Sequence, residues 1–198
     1  MRKNVEVSTN FYSSVSTRGV LIFIAGPEAK FQSSAEYLEE LCKRGFSIAA
    51  FNLKGKKVRP KDYLWAARFV THHVQMSFPH LLISLYGWSK GAEVAVQLAS
   101  LSHVKFQNII LDSPTLKPAF QSVISTGQIR NVKIFACSTD RREPHRLLKK
   151  MSYGAKVFVT NHEECSHRLA TSPEVEHKLV DFIETDFSNQ NDSFWVKI

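Results

Sequence analysis

The sequence predicts an α/β fold: a mostly parallel central sheet with helices on both faces, a three-layer sandwich. Six short, near-continuous apolar runs recur along the chain, and stretches with apolar residues at helical spacing alternate with them. Runs apolar at every position are strands buried on both faces, and parallel strands need helical crossovers to join them. The chain has 198 residues, 43% hydrophobic and 22% charged, which is enough material of ordinary composition for one sizeable core.

Taken in order, Val20 to Ala25 reads as the first strand, and Ser33 to Arg44 as a helix with Tyr37, Leu38 and Leu41 at helical spacing. Gly45 stops that helix. Phe46 to Phe51 is the second strand; the basic loop Lys54 to Lys61 follows, then a helix over Asp62 to Met76. Leu81 to Tyr86 is the third strand, and Ala92 to Ala99 has helix-forming composition. Asn108 to Asp112, Val132 to Cys137 and Ala155 to Thr160 complete the strands. Helices are expected over Lys117 to Ser125, Arg141 to Met151 and Pro173 to Phe187.

No repeat or linker divides the chain, so residues 1–187 are expected to form one domain and 188–198 a tail. Ser188 to Ser193 is polar and turn-rich, with Phe194, Trp195 and Val196 available to dock back. The longest apolar stretch falls far short of the roughly 20 residues of a membrane span. Met1 to Ser8 lacks the apolar region of a secretory signal, so a cytoplasmic location is expected. Cys42, Cys137 and Cys165 have neither the spacing of a zinc site nor the even count of a disulfide framework. The net charge of +8 attracts anions generally. Without aromatic-interleaved basic motifs, no specific nucleic-acid partner is expected.

Chemistry is concentrated after the third strand, where Gly87-Trp88-Ser89-Lys90-Gly91 leads into a helix. A G-x-S-x-G between strand and helix places its serine on a sharp, strained turn, and the glycines let strand and helix approach without Cβ clashes. A nucleophilic serine needs a base, and the base a carboxylate to orient it. Asp140 follows the Val132 strand, and His162 and His167 follow the Ala155 strand, giving the chain order Ser, Asp, His. Asp112 competes with Asp140, but Asp112-Ser113-Pro114 reads as a turn or helix start, which makes Asp112 structural.

With this elbow and this order of residues, the sequence resembles the α/β-hydrolase superfamily from the Val20 strand to the Pro173 helix. The short stretch between the Asn108 and Val132 strands implies a member without a lid. The run Gly87 to Ser100 is also similar to the elbow and helix of the acyl-CoA thioesterase and bile acid-CoA:amino acid acyltransferase catalytic domain. That family's N-terminal β-domain is missing, and Ser166-His167 stands where Gly-His is common.

The resemblance implies a serine hydrolase acting on a small-molecule ester or thioester, with Ser89 as nucleophile, His167 as base and Asp140 as its partner. His167 lies shortly before the last helix, where the superfamily keeps its base, so it is preferred to His162. Neither metal nor cofactor is implied. One oxyanion donor is the Lys90 N–H; the second belongs to Ala25-Gly26-Pro27-Glu28, where Pro27 has no N–H and leaves Gly26 or Glu28 to donate. The basic loop Lys54 to Lys61 reads either as a solvated surface turn or as an anion site in which Lys56 and Lys57 bind substrate, the phosphates of a coenzyme A leaving group. A non-catalytic binding module on the same fold and a serine peptidase are the competing readings.

Overall fold

A strand in the middle of a parallel sheet has no solvated face, and Gly19–Ile24 shows it: all six residues are buried. The computed structural model describes residues 6–25, 35–54, 58–137, 155–160 and 196–197. In chain order these form β1 (Glu6–Tyr12), β2 (Gly19–Ile24), α1 (Ala35–Lys43), β3 (Phe46–Lys54), α2 (Pro60–Ser77), β4 (Leu82–Trp88), α3 (Gly91–Leu101), β5 (Ile109–Asp112), α4 (Pro118–Ser125), β6 (Val132–Cys137), β7 (Ala155–Thr160) and β8 (Val196–Lys197). The strands make one eight-stranded sheet in the order β1-β3-β2-β4-β5-β6-β7-β8. Among the described strands, β1 alone runs antiparallel to its neighbour, with Glu6 opposite Lys54 and Tyr12 opposite Ile48.

Alternation along β2 divides the core between the two faces of the sheet. Val20, Ile22 and Ile24 pack with Ala66, Val70, Ala95 and Leu98 of α2 and α3. Leu21 and Phe23 pack with Leu38 and Leu41 of α1. Helices therefore cover both faces, as expected for a three-layer sandwich. Gly45, at φ +93°, ends the α1 turn, a conformation that costs glycine nothing. Among the described residues, no helix is long and apolar enough to cross a membrane.

The six expected strands are all present, and two more join them. β1 is an edge strand with only Val7, Phe11 and Tyr12 as large apolar residues, and most of it is partly or fully exposed. β8 pairs with β7 through Val196 and Lys197, so these two residues of the expected tail belong to the sheet. The basic stretch is also not a loop throughout. Pairing with β1 carries β3 on to Lys54, and Pro60 and Lys61 form the first turn of α2. Proline suits the first helical position, where no N–H is needed. The Asp62 carboxylate accepts the Arg59 N–H at 2.9 Å, which fixes the start of the helix. The helices expected over 141–151 and 173–187 lie outside the described residues.

Candidate active site

β4 delivers Ser89 to the C-terminal edge of the sheet, and the chain reverses there with Ser89 at φ +52°. A side chain in this left-handed region is strained by about 1–2 kcal/mol, so the surroundings must hold it. Its N–H donates to the Asp112 carbonyl at 2.9 Å, and its own carbonyl accepts from the Ala92 and Thr115 N–H groups at 3.1 and 3.3 Å. The flanking glycines are required by space. A Cβ on Gly87 would lie 2.7 Å from Ala92 Cα and 2.8 Å from the Gly91 carbonyl oxygen, and one on Gly91 would collide with the Ile24 carbonyl oxygen. The G-x-S-x-G motif thus makes the tight turn that the sequence implies, with the end of β2 pressed against the first turn of α3.

Lys90 is the N-cap of α3, so the N–H proposed as oxyanion donor belongs to the residue that begins a helix. Ala25, the last described residue before Gly26 and Glu28, lines the same cavity as Lys90. Asp112, one strand over, is 1% exposed. Its Oδ2 accepts the Tyr86 hydroxyl at 2.6 Å and its Oδ1 the Ser113 hydroxyl at 3.0 Å. A buried carboxylate held by hydroxyl donors ties β4 to β5 beside the elbow. Ser113 itself sits at φ +43°, so the two neighbouring strands both end in a serine of positive φ. Nothing in the sequence marks Tyr86 or Ser113 for this role.

Asp140, His162, His167, Gly26, Pro27, Glu28, Lys56 and Lys57 lie outside the described residues. The strands that lead to the first three are described. β6 and β7 run parallel to β4, so Cys137 and Thr160 end at the edge where Ser89 stands.

Beside the elbow lies a cavity of about 470 Å³. Val58, Tyr63, Val94, Leu116 and Phe120 give it apolar walls, and Arg59, Lys90, Glu93 and Lys117 add charge. Burial pushes the Tyr63 phenol above its ordinary value, so it stays protonated across the neutral range. The Glu93 carboxylate accepts the Lys117 N–H at 2.9 Å and its ammonium at 3.1 Å, tying the segment after β5 to the helix of the elbow. The sequence held one signal for this cavity: Pro60 and Asp62 mark a helix start, which places Arg59 at a helix N-terminus on the sheet edge.

No protein-family model and no curated protein matches the sequence. Solved structures do resemble it in fold. A highly thermostable carboxyl esterase from Bacillus coagulans superposes with a TM-score of 0.69 at 12% identity, covering 91% of this chain and 94% of its own. A dienelactone hydrolase from Anabaena variabilis gives 0.71 at 13% identity, covering 91% and 90%. MenH from S. aureus gives 0.65 at 16%, covering 89% and 97%.

Proposed function

The chain has the α/β-hydrolase fold, and we propose that on it Ser89 is the nucleophile of a serine hydrolase that cleaves a carboxylic ester or thioester. The observation that carries this reading is the strained φ of Ser89, held between two glycines that have no room for a side chain. Strain of this kind persists only where the surrounding structure imposes it, and it concentrates at functional sites.

In the proposed reaction, His167 takes the proton from Ser89 Oγ as the oxygen attacks the substrate carbonyl, and returns it to the leaving group. Asp140 orients His167 and stabilises the imidazolium. The tetrahedral oxyanion is held by the Lys90 N–H and by a second N–H from Gly26 or Glu28. Water then releases the acyl group by the same steps. The esterase and hydrolase names of the structural neighbours support this class of reaction, and the unpatterned cysteines support a cytoplasmic setting.

The leaving group is proposed to be coenzyme A, bound through Lys56 and Lys57. The test is a panel of p-nitrophenyl esters and acyl-CoA thioesters, with Ser89→Ala as control. Replacing Lys56 and Lys57 together by Ala is expected to raise KM for an acyl-CoA, with little change in kcat for a short neutral ester. Equal losses on both substrates would return these lysines to a folding role. Pro27 motivates the competing reading of a binding module, which gains if neither substrate class turns over.

A further inference from the structure

Helix N-termini carry partial positive charge, and the residues favoured at the N-cap are Ser, Thr, Asp and Asn, which accept hydrogen bonds there. Among the described residues, three helices that begin at the edge of this sheet beside Ser89 do the opposite. α2 is capped by Arg59, α3 by Lys90 and α4 by Lys117. All three residues line the one cavity of about 470 Å³. Three cations set on three positive helix ends repel one another and the helices, a departure from local preference that folded chains keep mainly at functional sites.

Nearby counter-charges hold Arg59 and Lys117 in place without using up their donors. Asp62 meets the Arg59 guanidinium only at Nε, at 3.5 Å, so its two terminal amino groups remain for a bidentate acceptor. Glu93 takes one hydrogen bond from the Lys117 ammonium, which has three protons to give. The walls between these charges are apolar, through Val58, Tyr63, Val94, Leu116 and Phe120.

We infer that this cavity is a substrate subsite for an anionic group, a carboxylate or phosphate, carried on an apolar chain and held by Arg59 and Lys117. The inference rests on the proposed hydrolase reading, because Lys90 joins the cavity to the nucleophile. A carboxylate would lie at the far end of the acyl chain; a phosphate would belong to the leaving group.

The experiment compares matched substrates. Mono-p-nitrophenyl adipate and suberate are set against p-nitrophenyl hexanoate and octanoate, and octanoyl-CoA against octanoyl-N-acetylcysteamine. For at least one pair, the anionic member is expected to have kcat/KM about tenfold higher or more, and Arg59→Gln and Lys117→Gln are each expected to cut that ratio about tenfold, chiefly through KM. Arg59→Lys, which keeps the charge without the fork, should restore only part of it. Because the ratio is taken within one protein sample, partial unfolding of a variant cancels. Preference within the first set assigns the carboxylate, and within the second the phosphate. Equal rates within every pair, or a ratio untouched by both variants, overturns the subsite.

If no ester or thioester turns over, the hydrolase reading fails separately, and calorimetric titration of Ser89→Ala protein with octanoate and with octyl phosphate decides the subsite alone. Binding of either one weakened about tenfold by Arg59→Gln supports it. Absent binding of both, or binding equal in both proteins, overturns it.

Discussion

The Ser89 N–H donates to the Asp112 carbonyl at 2.9 Å, so the turn that presents Ser89 is suspended from the end of the neighbouring strand. The Asp112 side chain is in turn fixed by Tyr86 and Ser113. The elbow thus depends on a buried polar cluster as well as on its glycines.

Asp112 and Asp140 should fail differently. Asp112→Asn and Tyr86→Phe each disrupt a buried hydrogen bond to a carboxylate and should destabilise the fold by about 1.5–3 kcal/mol, read from urea unfolding. Asp140→Asn should leave the urea midpoint nearly unchanged and lower kcat by about a thousandfold or more. A reversal of these two patterns would make Asp112 the partner of the base.

Gly91→Ala places a Cβ on the Ile24 backbone and should cost at least about 3 kcal/mol, the upper range for overpacking. Gly127→Ala supplies the contrast. Gly127 has φ +68° with nothing within 4 Å of the added carbon, so only the backbone conformation resists, at about 1 kcal/mol. Equal losses in urea unfolding would mean that the close approach of β2 and α3 is not what requires glycine at 91.

Relief of strain at Ser89 should be measurable. Ser89→Gly and Ser89→Ala both remove the hydroxyl, but only glycine tolerates φ +52°. The glycine variant should be the more stable of the two by about 1 kcal/mol, and both should be inactive. Equal stability would show that the elbow stores no backbone strain.

Asp62 makes the start of α2 sensitive to acid. The Arg59 N–H bonded to its carboxylate holds its pKa below the ordinary 3.8, and the Arg59 guanidinium and Lys61 act in the same direction. A group depressed in the folded state contributes stability that is complete above its ordinary pKa and is lost as pH falls through the native value. The gap in urea midpoint between the native protein and Asp62→Asn should therefore hold from neutrality to about pH 5 and close below about pH 4. A gap independent of pH would assign it to shape rather than charge.

What could be read from the sequence follows from burial. The strands β2 to β7 announce themselves as near-continuous apolar runs, the pattern of strands covered on both faces, as in Leu21 to Ile24, where every residue is buried. β1 is an edge strand whose Ser8, Thr9 and Asn10 face neither layer of the core strongly enough to leave a pattern. The elbow was legible because its two glycines are demanded by contacts within a few residues of chain and with β2. The cavity was not, because its lining comes from four segments that only the sheet order brings together. The Tyr86, Asp112 and Ser113 cluster depends on register between strands, which sequence spacing does not encode.

Ser89 is proposed to be an activated nucleophile, and covalent labelling reads this without knowledge of the substrate. Folded protein treated with a fluorophosphonate should gain one adduct, mapped by mass spectrometry to Ser89, and Ser89→Ala and His167→Ala should both lose it. Folded protein that takes up no adduct at Ser89, or an adduct rate unaffected by removal of His167, would contradict the account.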